Sequence, residues 1–222
     1  YRYYYLLFYA LMIQICLLYL KLESWDEAKV IALFHIMAMG MEIFLTHPAI
    51  ASWQYPQPAI FKLLTVPLFA GFMYSAVGSF FARSLRLYQV SFENLPQFGN
   101  MLCLAVLSYL NFMTKFFIPD IRMGLFIWSV VIFWKTKLYF QLAQHRFKVP
   151  MLPILLILAF LIWIAENIST FYKIWLYPSQ VDAWHMVCWG KLGSWYLLLL
   201  LSLVLVLKIL GHRDITGRWM LK

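Results

Sequence analysis

Apolar runs long enough to cross a bilayer recur along almost the whole chain, and they leave few folds open. A helix needs roughly 20 mostly apolar residues to cross the ~30 Å hydrocarbon layer. About seven such runs can be laid on the sequence, at 3–20, 28–46, 62–82, 98–117, 122–140, 152–174 and 191–210. Backbone groups in lipid must bond internally, which leaves helices or a closed barrel, and these runs lack the period-2 alternation of barrel strands. The expected fold class is all-α, a polytopic transmembrane helical bundle of about seven spans forming a single domain over 1–222. Composition agrees, since 64% of the 222 residues are apolar and 12% are charged, more apolar surface than a soluble fold can use. The turn-rich pieces at 47–58 and 177–190 are too short to be domains.

Charge gives the bundle a direction. With the C-terminus on the cytoplasmic side, 12 of the 18 Lys and Arg residues fall there, among them Arg83, Arg86, Lys137, Arg146, Lys148, Lys208, Arg213 and Arg218. The other side holds Arg2, Lys62, Lys115, Arg122, Lys173 and Lys191. This excess predicts N-out, C-in by the positive-inside rule and accounts for most of the net +9. The cations sit at span ends and form no basic stripe, so no nucleic-acid partner is indicated. After the first run come Glu23, Asp26 and Glu27 instead of a small-residue cleavage site, so it reads as a span and not a signal peptide. The sequence starts at Tyr1 without Met, which reads as a missing N-terminus. Cys16, Cys103 and Cys188 form no CxxC pair and read as inert packing, with neither a disulfide framework nor a zinc site.

Ionisable groups inside spans are the informative residues, because each costs at least ~2.5 kcal/mol unless paired or hydrated. Of nine acidic residues, Glu42 and Glu166 fall clearly within spans, at similar depths near the outer leaflet. Glu42 is followed by Trp53-Gln54-Tyr55-Pro56, and Glu166 by Trp175-Leu176-Tyr177-Pro178. Each copy reads as span glutamate, helix end, WxYP. The spacing differs by two residues, as a diverged parallel duplication or a coincidence would allow. A single WxYP is explained by interfacial anchoring of Trp and Tyr with a helix-ending Pro. That does not explain why both copies follow a buried glutamate.

Helical spacing adds further polar residues. His35, Glu42 and Thr46 share one face, and Glu166, Thr170 and Lys173 another, while Ser108, Asn111 and Lys115 form a third stripe. With Asp120 and Arg122 these can converge on one outward-facing pocket. For Asn111 and Thr170 the alternative is interhelical hydrogen bonding, for His35 a core role, and for Lys135 snorkelling. Gly71, Ser75 and Ser79, with Gly78 beside them, predict close packing of the third span. Pro67 and Pro153 are positioned to kink their helices.

Several segments carry a family resemblance. Phe133-Trp134-Lys135-Thr136, Tyr109-Leu110-Asn111-Phe112, Asp120-Ile121-Arg122, Lys191-Leu192-Gly193-Ser194-Trp195 and above all Trp163-Ile164-Ala165-Glu166-Asn167-Ile168-Ser169-Thr170 with its WxYP resemble the YoaT-type family of bacterial membrane proteins. The resemblance covers about 35–205 and implies a multi-pass protein of the bacterial cytoplasmic (inner) membrane. That family is a domain of unknown function, so no activity comes with it. Around Glu42 this chain departs from the pattern, with two additional residues and no glycine before Trp53. A fainter similarity, a membrane glutamate followed by a Gly- and Tyr-rich segment, links it to membrane carotenoid hydratases and lycopene cyclases.

Three functions compete. The first is an enzyme acting on an isoprenoid or other lipid, with Glu42 or Glu166 as acid or base and Asn167, Thr170 or His35 orienting it. Asn111, Thr170, Trp53, Tyr55, Trp175, Tyr177 and Lys191 would then contact the substrate, and the 19 Phe, 14 Tyr and 10 Trp offer ring faces for a cationic intermediate. The second is a proton- or cation-coupled transporter built from two related halves. The third is a non-catalytic subunit or assembly factor of a membrane complex, with a membrane-complex partner, whose glutamates pair with Lys or Arg to fix helix register. Membrane lipids are partners in every case. A retinal-binding lysine is missing from mid-span, since Lys191 and Lys208 flank the last run, and His185 and His212 are too few for a seven-span zinc hydrolase. A haem would have His35 alone, no phosphate loop, nucleophile elbow or HExxH is present, no metal site is indicated, and the cofactor stays unknown.

Overall fold

The computed structural model describes residues 2–214 and 217–221. Among them seven α-helices follow in order: α1 Arg2–Tyr19, α2 Trp25–Thr46, α3 Phe69–Leu87, α4 Phe98–Thr114, α5 Arg122–Phe133, α6 Met151–Phe171 and α7 Gly190–Leu210. Four of them, α1, α2, α6 and α7, are long and apolar enough to cross a membrane, while α4 and α5 are shorter apolar helices. The Leu-rich α7 is the axis of the bundle. It packs against α2, α3, α4 and α6, and Leu197, Leu200 and Val206 on it are fully buried.

Local chemistry fixes the helix ends. Ser24 caps α2 by accepting from the Glu27 N–H, and the Glu27 carboxylate accepts from the Ser24 N–H in a reciprocal capping box. Thr46 ends α2 because His47, preceding Pro48, is driven to extended backbone at ψ 139°. The small residues of α3 serve packing as expected. A Cβ on Gly71 would lie 2.5 Å from the His35 ring, and one on Gly78 2.6 Å from the Phe34 ring, so α2 and α3 touch at a separation only glycine permits. Neither expected kink has a cause, because Pro67 lies ahead of α3 and Pro153 in the first turn of α6, where its missing N–H breaks no intrahelical bond.

Several expectations need correction. The third helix starts later than 62–82 suggested, since Lys62–Leu63 (β1) and Val66–Pro67 (β2) form a short antiparallel ladder ahead of it. The run at 122–140 is not one helix. Its helical part, α5, has 12 residues, roughly 18 Å of rise, and Lys137–Leu142 (β4) alternates its side chains in a hairpin with His145–Pro150 (β5). β4 also pairs with Ser91–Glu93 (β3), which pairs with Trp219–Leu221 (β7), itself paired with Gly211–Arg213 (β6). The result is a five-stranded antiparallel sheet, order β5-β4-β3-β7-β6, closing the bundle at the ends of α3, α5 and α7. The fold is therefore mostly helical with a sheet element, and not purely α. Cys16, Cys103 and Cys188 are unpaired and exposed, not packed inside.

Glu23 and Glu27 are also buried, each 3% exposed. Both lie at the sheet end of α2, where Glu27 pairs with Arg86 at 3.0 Å and Glu23 with Arg83 at 3.4 Å. Glu23 further accepts from Gln14 at 2.6 Å and from the Ser79 hydroxyl. These carboxylates are neutralised by α3 and tie the α1–α2 turn to it.

Candidate functional site

At the opposite end of the bundle the two span glutamates lie on α2 and α6, 1% and 3% exposed. Each is held by aromatic donors. The Glu42 carboxylate accepts from Trp53 Nε1 at 3.0 Å, Tyr55 Oη at 2.8 Å and Tyr74 Oη at 2.7 Å. Glu166 accepts from Tyr177 Oη at 2.5 Å and Trp195 Nε1 at 2.8 Å. An indole N–H can only donate, so a carboxylate suits both shells.

The two WxYP segments bring the glutamates together. Gln54 and Leu176, the variable residue of each copy, form an antiparallel bridge with both backbone hydrogen bonds at 2.9 Å. Trp53 meets the edge of Tyr177 with ring centroids 6.2 Å apart, and Tyr74 stacks on Trp195 at 6.0 Å. Two residues before each tryptophan the chain turns through a left-handed residue, Ala51 at φ +46° and Lys173 at φ +55°. Lys173 ends α6 in a Schellman arrangement, with Ile174 N–H donating to the Ser169 carbonyl. In the first copy the two extra residues loop out after α2, and Ser52 N–H reaches back to the Leu45 carbonyl. The insertion therefore leaves the approach to Trp53 unchanged.

Both glutamates line one cavity of about 50 Å³ together with Lys115, Lys191, Tyr74 and Trp195. One water needs ~10–15 Å³, so there is room for a few waters or one small polar group. Lys191 lies over ring faces, its Nζ 4.2 Å from the centre of Tyr177 and 5.2 Å from that of Trp53. Among the described residues no ion pair reaches either glutamate. The lysine is thus held by π-electrons beside two carboxylates that it does not neutralise by contact. Below this cavity an apolar one of about 30 Å³ continues into the bundle, and Met41, Tyr74, Trp195 and Leu198 line both.

Glu42, Glu166, Trp53, Tyr55, Trp175, Tyr177 and Lys191 meet at this cavity. The remaining candidates lie elsewhere. Asn111 donates to Asp120 at 2.9 Å and accepts from the Ile121 N–H, closing the α4–α5 turn. Asn167 accepts from the Val187 N–H at 2.8 Å and Thr170 from Trp184 Nε1 at 3.1 Å, so both pin the 177–190 segment to α6. His35 packs against Gly71 and Phe72, two helical turns from Glu42, and its Nδ1 has no hydrogen-bond partner among the described residues. Tyr74 and Trp195 are the site residues that sequence reasoning missed. Trp195 stands within the Lys191–Trp195 segment that carries the family resemblance, but Tyr74 carried no signal beyond its place next to Ser75. Among the described residues no three His, Cys, Asp or Glu side chains cluster as metal ligands would.

A mostly helical bundle with four helices of spanning length and paired carboxylates in its interior defines an α-helical membrane protein. The chain belongs to the family described as "Protein of unknown function (DUF817)", matched over residues 1–203. It is 38% identical over 205 residues to "Uncharacterized protein YoaT" of Bacillus subtilis (strain 168), covering 92% of this chain and 77% of the relative. The fold is similar to that of the mycobacterial Insig homolog MvINS from Mycobacterium vanbaalenii, with TM-score 0.57, 10% identity and coverage of 83% of this chain and 93% of that one. A cross-linked trimer of MvINS aligns over the same shares, with TM-score 0.55 and 11% identity. These likenesses concern the fold.

Proposed function

We propose that the protein is a multi-pass enzyme of the bacterial cytoplasmic membrane, seven-span and N-out, C-in, acting on an isoprenoid or similar lipid by acid–base chemistry of Glu42 and Glu166. The observation that carries this reading is the shared cavity. Two carboxylates from separate helices, each oriented by Trp and Tyr donors, face one small polar space with Lys191, and an apolar space continues beneath it. A small polar space with an apolar extension is what the reactive end of an amphipathic substrate requires. Glu42 accepts three hydrogen bonds and Glu166 two, so Glu166 retains more capacity to exchange a proton with a bound group. In this reading Glu166 is the acid or base, Glu42 a fixed counter-charge, and Lys191 a movable cation for the polar end. Eighteen Lys and Arg residues, mostly on the sheet side, support the orientation.

The test is lipid mass spectrometry of cells producing the wild type, Glu42→Gln or Glu166→Gln. One lipid species is expected to be depleted, and a product to rise, with the wild type alone. Full conversion by both variants overturns the reading. The two-fold pairing of Gln54 with Leu176 favours a second reading, transport at a repeat interface. Proton or cation flux into proteoliposomes, lost in the same variants without any chemical conversion, would establish that one instead.

A further inference from the structure

Helix α1 is fastened at its ends and stands off the bundle between them. Tyr3 is its one buried residue among those described. At the glutamate end Tyr3 Oη donates to the Ile174 carbonyl at 2.7 Å and Arg2 to the Tyr172 carbonyl, while the Ile60 N–H donates to Tyr4 Oη at 2.7 Å. At the sheet end Gln14 reaches Glu23, which is held by Ser79 and Arg83. Between these fastenings a slot of about 350 Å³ runs between α1, α3 and the end of α6, with Leu6, Ala10, Ile13, Phe72 and Ala76 on its walls. It reaches from Phe69 to Arg83 along α3, roughly 21 Å at the helical rise. Ala10 is half-buried and Ala76 exposed, so the slot is open to the surroundings of the bundle, which along an apolar helix means lipid.

The slot adjoins the site. Met73 and Trp175 line it and the glutamate cavity alike, so one layer of side chains divides them. Methionine repacks readily, which makes that layer a passable one. At the other end the Glu23–Arg83 pair closes the slot with charge. Its volume lies at the low end of the ~300–1,000 Å³ typical of small-molecule sites, which suits one hydrocarbon chain and not the two of a phospholipid.

We infer that this slot is the lateral access route and the seat of the substrate's chain. A single-chain isoprenoid lipid enters from the bilayer beside α1, lies along α3, and presents its reactive end to Glu166 past Met73 and Trp175. The identity of the reacting group rests on the proposed function, but occupancy of the slot does not.

The full chain in phosphatidylcholine vesicles, photolysed with farnesol carrying a diazirine and mapped by peptide mass spectrometry, tests it. Cross-links are expected on the α1 and α3 walls of the slot. Ala76→Phe and Ala10→Phe, which fill the slot from opposite sides, are each expected to lower them by about tenfold. Glu166→Gln should label like the wild type, so loss of the acid–base reading would leave this result standing. Unchanged labelling in both filling variants overturns the inference. So does equal labelling of the same residues by phosphatidylcholine bearing the diazirine on an acyl chain, which would mean bulk lipid. A cross-link from α1 to a second protein chain would assign the slot to a helix and overturn it too.

Discussion

Gln54 and Leu176 pair backbone to backbone, each donating its N–H to the other's carbonyl at 2.9 Å, although 122 residues separate them in the chain. They occupy the same place in the two WxYP motifs. An antiparallel pair formed by equivalent residues has a local two-fold axis between them, and the bridge ties the segment after Glu42 to the segment after Glu166. Leu176→Pro removes one of the two donors and should weaken the bridge. The expected result is faster amide exchange at Gln54 and Tyr55, measured by hydrogen–deuterium exchange, while the amides of α7 are unchanged.

Tyr74→Phe deletes one donor to a buried carboxylate without changing shape. A hydrogen bond to a charged group contributes about 1.5–3 kcal/mol, and this much loss of stability is expected on denaturation in detergent. Trp195→Phe should cost a similar amount through Glu166. If Tyr74→Phe is neutral, Glu42 is not held as a carboxylate by its three donors.

The left-handed residues before each tryptophan are neither glycine nor asparagine. Non-glycine side chains pay roughly 1–2 kcal/mol in that conformation, so Ala51→Gly and Lys173→Gly are each expected to raise stability by about 0.5–1 kcal/mol once glycine's greater chain entropy is counted. Thermal unfolding in detergent checks both. Destabilisation by either would mean that the side chain has a role the backbone angle does not reveal.

Gly71→Ala places a Cβ against the His35 ring, which must move. Overpacking of this kind costs about 1–3 kcal/mol. Adding His35→Ala removes the obstacle, so the double variant should recover most of the loss. Lack of recovery would show that the α2–α3 contact is limited by backbone approach.

Acid should loosen the sheet before the helices. Glu93 accepts from the Tyr139 hydroxyl and pairs with Lys148 at 3.1 Å, and these two contacts hold its carboxyl below the usual 4.5. A carboxyl with a lowered folded value contributes stability that is complete above the ordinary value and fades as pH falls through the folded one. Protease cutting between β4 and β5 should therefore increase below about pH 4, and Glu93→Gln should cut equally readily at neutral pH.

The helices were legible because spanning lipid demands long apolar runs, and such runs are visible without knowing any neighbour. The sheet was not. β3, β6 and β7 have three residues each, β3 and β7 take their identity from each other across more than a hundred residues, and β4 continues the apolar run of α5 closely enough to be read as helix. Glu42 and Glu166 stood out because charge in lipid needs a reason. Tyr74 did not, since an aromatic residue in a span looks like packing until its hydroxyl is placed. Asn111, Asn167 and Thr170 were polar for a local reason, holding turns, which helical spacing cannot distinguish from lining a pocket.

The position of α7 carries a consequence for biogenesis. The helix at the centre of the bundle is the last of the seven along the chain, and β7, which joins β3 to β6, comes later still. As the chain leaves the ribosome, α1 to α6 must wait around an unfilled centre, with Glu166 lacking the Trp195 donor and the cavity its Lys191 cation. The arrival of α7 therefore fills the core, completes the polar shell and is followed by the strands that close the sheet, and a nascent chain stopped before Gly190 should be recognised by proteases as unfinished.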